Sequence, residues 1–181
     1  MLVLLHIPRT AMRPVHNVVS NEGIHHFLVR SPQDFHTVQK LTMNIEEVKY
    51  YFILRDPIER VMREYFKEER KCSIKEYFVD ESLHNVMCKF ILCSTDPVTD
   101  ESFKKVVDIV KSGKVKYDVF YPEKTLYTTF EELTGINMYS HPVANEYKLT
   151  KQKTIFTPQE MHFMIKELNE YDIKLFELLN V

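Results

Sequence analysis

The sequence YYFILRDPIERVM, residues 50–62, is the clearest indication of the fold class, because it joins an apolar run of strand length to a helix start. The run YYFIL is apolar at every position, which is typical of a strand covered on both faces, as in a parallel sheet. Asp56 and Pro57 favour a helix that begins at Pro57, with Asp56 as its N-cap. Apolar residues then recur at helical spacing and indicate one buried face. The stretch therefore predicts a strand followed by a helix that packs on a parallel sheet.

Strands and helices alternate on both sides of this stretch. Further apolar runs of strand length are found at residues 2–7 (LVLLHI), 25–29 (HHFLV) and 117–121 (YDVFY). Helices are expected at about residues 11–20, at 73–93 (one or two helices), at 101–112 with an end near Gly113, and from about 158 to 179 after a capping box. Strands that alternate with helices predict an α/β domain around a mainly parallel sheet.

Length and composition bound the class of protein. A chain of 181 residues predicts one domain over residues 1–181. Hydrophobic residues at 44% and charged residues at 28% are ordinary for a globular domain, and no apolar run approaches the ~20 residues that span a bilayer. The net charge of -2 argues against nucleic acid as a partner. We expect a cytoplasmic protein without a membrane partner.

The cysteines and histidines do not suggest a metal centre. Cys72, Cys88 and Cys93 are odd in number and lack metal-ligand spacing, so we expect reduced thiols that serve mostly in packing. His84, His141 and His162 have no carboxylate or cysteine partner at ligand spacing. The sequence therefore predicts no metal site.

Two strand–helix junctions carry arginine residues. In α/β folds ligands bind beyond the carboxyl ends of the strands, and a helix start there offers free N–H groups to an anion. The first junction, residues 6–14 (HIPRTAMRP), contains Arg9 and Arg13, and the second places Arg55 at the end of its strand. These junctions suggest an anion site, although many strand–helix loops carry an arginine.

The helix after the second junction bears a stripe of cations at helical spacing. The stripe consists of Arg60, Arg63, Lys67 and Arg70. Neighbouring glutamates could balance these charges, which is the ordinary pattern of a solvated basic face. That interpretation is favoured for the outer two members, whereas a functional role is favoured for Arg55 at the junction itself.

Taken together, the two junctions resemble the sulfotransferases that use 3′-phosphoadenosine 5′-phosphosulfate, in particular the Golgi-type carbohydrate sulfotransferases and their small bacterial and viral relatives. LLHIPRTAM resembles the loop H-I-P-K-T-G-G-T of that family, which holds the 5′-phosphosulfate. RDPIERVMR resembles R-D-P-x-x-R-x-x-S, which holds the 3′-phosphate. Segments that contain Asn85, YDVFY, Asp172 and Phe176 extend the resemblance over nearly the whole chain. It implies a three-layer α/β/α, P-loop-like sulfotransferase fold.

The resemblance also implies a reaction, the transfer of a sulfuryl group from this donor to a hydroxyl or amine of an acceptor. A glycan is one candidate for the acceptor. The product would be 3′,5′-adenosine diphosphate, and no metal would be needed. Arg9 would stabilise the leaving phosphate and Arg55 would bind the 3′-phosphate. The implied donor site comprises Pro8, Arg9, Thr10, Ala11, Met12, Arg13, Arg55 and Arg63.

A general base for the acceptor is implied as well, because the family often has a histidine about twenty residues before the 3′-phosphate arginine. His36 lies nineteen residues before Arg55 and is the candidate. An imidazole with a near-neutral pKa suits this task. The alternative is a surface or capping histidine, since Phe35 stands where the family has glycine.

The chain departs from the family pattern at the reacting groups. Ala11 and Met12 replace the paired glycines, and Arg13 replaces the threonine that follows, which adds side chains at the phosphate seat. Arg63 replaces the serine and could pair with phosphate, whereas Arg9 keeps the charge of the family's lysine but does not readily donate a proton.

Two interpretations follow: an active sulfotransferase, or an inactive module of the same fold that binds nucleotide or protein. A P-loop kinase or NTPase is disfavoured because G-x-x-x-x-G-K-[ST] is absent.

Overall fold

The computed structural model describes residues 1–67, 74–121, 127–146 and 159–180. Its strands are β1 (Leu2–Leu5), β2 (His26–Val29), β3 (Lys49–Leu54) and β4 (Val115–Val119). They form one parallel sheet in the order β2-β1-β3-β4. The predicted α/β class with a parallel sheet is confirmed.

The helices flank this sheet, consistent with three layers, α/β/α. They are α1 (Met12–Asn21), α2 (Asp34–Thr42), α3 (Pro57–Lys67), α4 (Ile74–Val79), α5 (Val86–Leu92), α6 (Asp100–Lys111), α7 (Thr128–Thr134), α8 (Pro142–Glu146), α9 (Gln159–Leu168) and α10 (Glu170–Leu179). Within the described ranges, none of them is both long and apolar enough to cross a bilayer.

Complete burial of β1 explains its unbroken apolar sequence. All of its side chains are buried, at no more than 4% exposure. Because successive side chains of a strand point to opposite faces, this burial requires cover on both faces of the sheet. The same holds for the last four residues of β3, Tyr51 to Leu54, which are fully buried.

The start of α3 follows the predicted capping pattern. The Asp56 carboxylate accepts a hydrogen bond of 2.9 Å from the Glu59 amide, and Pro57 is the first helical residue. One face of α3 then packs Val61 and Met62 into a small second core that includes Ile165 of α9. This anchoring holds α3 beside the carboxyl end of β3.

Asn85 and Asp172 join α5 to α10. The Asp172 carboxylate is fully buried and accepts hydrogen bonds of 2.9 Å from the amides of Met87 and Cys88 at the start of α5. In return, the Asn85 side-chain oxygen accepts hydrogen bonds from the Tyr171 and Asp172 amides at the start of α10. Each residue therefore satisfies helix-end donors that would otherwise be buried without a partner.

Three features differ from the sequence-based expectation. The fourth strand is Val115–Val119 rather than 117–121, because α6 ends at Lys111, Gly113 turns the chain with a positive φ of 71°, and pairing with β3 begins at Val115. The closing helical pattern is divided at Asn169, whose side-chain oxygen accepts a hydrogen bond from the Asn85 amide. Helices α2 and α8 were not expected from the pattern.

The cysteines that the structure describes are free thiols, as expected. Burial raises the pKa of Cys88 well above its usual value, and the Asp172 charge adds to this effect. Burial also raises the pKa of Cys93 to about 12. Both thiols therefore stay protonated at neutral pH and serve in packing. Cys72 lies outside the described residues.

Candidate functional site

A cleft of about 850 Å³ lies at the carboxyl edge of the sheet, where the chain passes from β1 to β2 on one side and β3 stands on the other. This reversal of strand order is the place where open α/β sheets bind ligands. Among the described residues that line the cleft, none is acidic. The cationic and imidazole side chains of the lining are Arg9, Arg13, Arg30, Arg55, Arg63, His6 and His16.

The loop between β1 and α1 keeps a glycine-like backbone without glycine. Arg9 and Ala11 have φ values of 65° and 63°, in the left-handed region that costs other residues about 1 kcal/mol. Ala11 occupies the N-cap position of α1 and has no side chain that could cap the helix. Amides of the first turn, including those of Met12 and Arg13, therefore remain suited to an anion at this end of the cleft.

Of the loop residues predicted for the donor site, some line the cleft and others do not. Arg9, Ala11, Met12 and Arg13 line the cleft. Met12 stands where the family has the second glycine. Its side chain is 1% exposed and packs in the core, so most of that side chain does not fill the cleft. Thr10 is fully buried, and its hydroxyl donates a hydrogen bond of 2.9 Å to the Ile7 carbonyl. Thr10 therefore braces the loop. Pro8 is not part of the lining.

Arg55 connects the two junctions and is almost completely buried, at 2% exposure. Its Nη1 donates a hydrogen bond of 2.8 Å to the Arg9 carbonyl. Its Nε and Nη2 donate hydrogen bonds of 3.1 and 2.8 Å to the Glu59 carboxylate. The guanidinium carbon also lies 4.2 Å from the centre of the Phe120 ring. These contacts hold the guanidinium in one orientation at the end of β3.

Two glutamates of α3 pair with the arginines on this side of the cleft. Glu59 also accepts a hydrogen bond of 3.0 Å from Arg63 Nε, and Glu64 lies 2.9 Å from Arg9 Nε. Burial alone would raise the pKa of Glu59, but Arg55 and Arg63 outweigh it and hold that pKa below its usual value. The sequence pattern predicts these glutamates as exposed residues that balance the charges of a solvated basic face. The spacing of four residues from Arg55 to Glu59 and on to Arg63 was the signal for the pairing.

The sequence motifs do not place Arg30 or His16 in the cleft, and they assign no role to the His6 side chain. Arg30 directly follows β2, just as Arg55 follows β3, and that shared position was the available signal. Burial lowers the pKa of His6, and the positive charges of Arg30, His16, Arg13 and Arg9 lower it further. The pKa of His16 is lowered by burial and then by His26 and Arg30. The positive side chains that surround these two imidazoles are an arrangement that suits an anion in this part of the cleft.

His36 lies in the first turn of α2. Its side chain lies outside the described part of the chain, so its role as a base stays a prediction. The Lys67 side chain and Arg70, the outer members of the cationic stripe, also lie outside the described part of the chain, so their predicted place on a solvated face stays a prediction. Arg60 of that stripe is not on the surface, since it is 2% exposed, and its charge lowers the pKa of buried Asp172 against the larger effect of burial.

Metal ligands do not gather in the described ranges, where no group of three or more His, Cys, Asp or Glu side chains could hold an ion. Independence from metal stays a prediction about the reaction.

In comparisons with known proteins, no family model and no curated protein matches the chain. The geometry of the cleft and the motifs that line it are therefore the basis of the functional argument.

Proposed function

We propose that the protein is a sulfotransferase that transfers a sulfuryl group from 3′-phosphoadenosine 5′-phosphosulfate to an acceptor hydroxyl or amine. The observation that carries this proposal is the meeting of the two sulfotransferase-like junctions in one arginine-lined cleft, joined by the hydrogen bond from Arg55 to the Arg9 carbonyl. The volume of about 850 Å³ falls within the range of about 300–1,000 Å³ typical of ligand sites.

The chain has the groups that such a reaction requires. The acceptor forms a bond to sulfur while the bond between sulfur and the phosphate oxygen breaks, and the proton of the acceptor passes to a base. Because negative charge grows on the leaving phosphate, cations and amides placed around that oxygen lower the barrier. Arg9 lines the cleft beside the start of α1, and in this proposal Arg9 and the first amides of α1 serve this role. His36 remains the predicted base.

The β3 side of the cleft suits the nucleotide part of the donor. Arg63 lines the cleft and is oriented by Glu59, which also orients Arg55. A guanidinium held in this way is well placed to bind a phosphate through paired N–H groups. Phe66 lies one helical turn further along α3, is 51% exposed and lines the same cleft. Its ring offers a face on which a nucleotide base can stack.

The second candidate is a protein of the same fold that binds the nucleotide without transferring the sulfuryl group. The observation in its favour is the ion pair of 2.9 Å between Arg9 Nε and Glu64, which places a carboxylate against the cation that should meet the leaving phosphate. Arginine in place of the family's lysine also keeps its protons. Both candidates require nucleotide binding, and only the first requires turnover.

Calorimetry with 3′,5′-adenosine diphosphate, 5′-AMP and ATP tests the shared requirement. We expect micromolar binding of 3′,5′-adenosine diphosphate and at least tenfold weaker binding of the other two, a difference of about 1.4 kcal/mol or more. Arg63→Ala should weaken the binding of 3′,5′-adenosine diphosphate by a similar factor. Lys105→Ala is the matched control, because Lys105 pairs with Glu101 on the exposed surface of α6. Equal binding of all three nucleotides, or none, would contradict both candidates.

A further inference from the structure

The cleft continues past β1 to the outer side of the sheet. The His6 amide donates a hydrogen bond of 2.8 Å to the Val29 carbonyl, so His6 and Arg30 follow neighbouring strand ends. Leu28 and Arg30 are two residues apart at the end of β2 and both line the cleft. His16 approaches from α1, where its ring lies 5.3 Å from that of His26, centre to centre. This part of the cleft is therefore lined by the apolar Leu28 together with one guanidinium and two imidazoles.

The carboxylates near the cleft are engaged elsewhere. Glu59 and Glu64 contact the arginines of the β3 side and of the β1–α1 loop. Asp34 lies close to Arg30 in the chain, but its Oδ2 accepts hydrogen bonds of 3.0 and 2.9 Å from the backbone amides of Arg30 and Ser31. Positive groups thus converge around His6, which is only partly exposed, and none of the described residues that line the cleft is acidic. Convergence of like charges in a cleft is the arrangement that an anionic ligand stabilises.

We infer that Arg30, His6 and His16 form a second anion subsite, which binds a negatively charged oxyanion group on the acceptor. The assignment to the acceptor rests on the proposed function, since the donor phosphates are assigned to the groups on the other side of β1. Among the described strands, β2 is at the edge of the sheet, and Arg30 is exposed. The subsite is therefore open to solvent, as an acceptor larger than the cleft requires. The acceptor class is one that already carries a sulfate, phosphate or carboxylate group near the hydroxyl or amine that reacts.

Inorganic sulfate is the probe for this subsite, and the imidazole signals of His6 and His16 in nitrogen–proton NMR spectra are the readout. The protein is titrated with sulfate twice, once alone and once after saturation with 3′,5′-adenosine diphosphate. We expect saturable shifts of both imidazole signals in both titrations. Arg30→Gln should weaken sulfate binding about tenfold while leaving the affinity for 3′,5′-adenosine diphosphate unchanged. Lys105→Gln serves as the control for general loss of one positive charge.

The outcomes separate this inference from the proposed function. If sulfate moves neither imidazole signal in either titration, or if Arg30→Gln binds sulfate as well as Lys105→Gln, there is no such subsite. If 3′,5′-adenosine diphosphate itself shifts the two signals and blocks sulfate, the subsite belongs to the donor and the acceptor assignment is wrong. If the nucleotide does not bind at all, the proposed function fails, and the sulfate titration of the protein alone still decides whether the anion subsite exists.

Discussion

The Arg9 carbonyl accepts a hydrogen bond of 2.8 Å from Nη1 of Arg55, forty-six residues further along the chain. This bond fixes the loop after β1 to the end of β3. The same guanidinium is bound on its other edge by Glu59, which also orients Arg63. Arg55 is therefore the residue that sets the distance between the two halves of the arginine-lined cleft.

Removal of the Arg55 side chain should destabilise the protein. Arg55→Ala leaves the half-buried Glu59 carboxylate and the Arg9 carbonyl without their main donor, and loss of one partner of a buried pair costs about 3 kcal/mol. Arg63→Ala removes a more exposed partner of the same Glu59 and should cost less than about 1 kcal/mol. Urea unfolding followed by circular dichroism measures both. Equal costs for the two variants would mean that Arg55 does not join the junctions.

The left-handed residue at the start of α1 predicts a stabilising substitution. Ala11→Gly should raise the free energy of unfolding by about 1 kcal/mol, because glycine adopts a φ of 63° without steric cost. Ala144→Gly in α8 is the matched control and should lower it by about 1 kcal/mol, since there the helix favours alanine. Thermal unfolding of the two variants beside the parent compares them. A loss of stability in Ala11→Gly would show that the loop does not hold this conformation.

The pairing of Glu64 with Arg9 predicts a variant that binds the nucleotide more tightly. Glu64→Gln removes the negative charge 2.9 Å from Arg9 Nε, so an incoming phosphate no longer competes with a carboxylate. We expect about fivefold tighter binding of 3′,5′-adenosine diphosphate, or about 1 kcal/mol. Glu101→Gln, which removes an exposed acid of α6, should change nothing. Weaker binding in Glu64→Gln would mean that Glu64 orients Arg9 rather than competing for it.

The positive surroundings of His6 predict how stability depends on pH in the absence of an anion. Burial, together with Arg30, His16, Arg13 and Arg9, lowers the pKa of folded His6 below 6.5. As the pH falls below that value, the unfolded chain takes up a proton that the folded protein does not, so stability decreases.

The variant His6→Gln should lose less stability than the parent between about pH 7.5 and about pH 5.5, a range that spans the usual histidine pKa. His25→Gln is the control, since His25 is exposed immediately before β2. Added sulfate should reduce the loss in the parent. Chemical unfolding at each pH gives the comparison, and identical pH dependence in the parent and in His6→Gln would contradict the electrostatic assignment.

Local chemistry made most of the fold predictable. The apolar runs before His6 and Arg55 predicted buried parallel strands, and Asp56 with Pro57 predicted the start of α3. The division of the closing helix was not predictable, because it depends on Asn169 meeting Asn85, which lies eighty-four residues away in sequence. Helix α8 is only five residues long and carries no strong period.

The candidate site was predictable at the β1 and β3 junctions but not at the end of β2. Arg9, Arg13, Arg55 and Arg63 stand in recognisable motifs, and all four line the cleft. Arg30 stands in no motif, and its place became visible only when the strand order put β2 beside β1. That Arg55 is buried and bonded, rather than open to solvent, follows from Phe120 and the Arg9 carbonyl, two contacts that the sequence does not encode locally.

The most direct test of the central claim is transfer of labelled sulfate from 3′-phosphoadenosine 5′-phosphosulfate to a panel of acidic and neutral acceptors. If the protein is a sulfotransferase, labelled acceptor and 3′,5′-adenosine diphosphate form in equal amounts, acidic acceptors are preferred, and Arg9→Ala abolishes the transfer while Lys105→Ala does not. A protein that binds 3′,5′-adenosine diphosphate but leaves the donor intact with every acceptor would contradict the account and identify a binding module of the same fold.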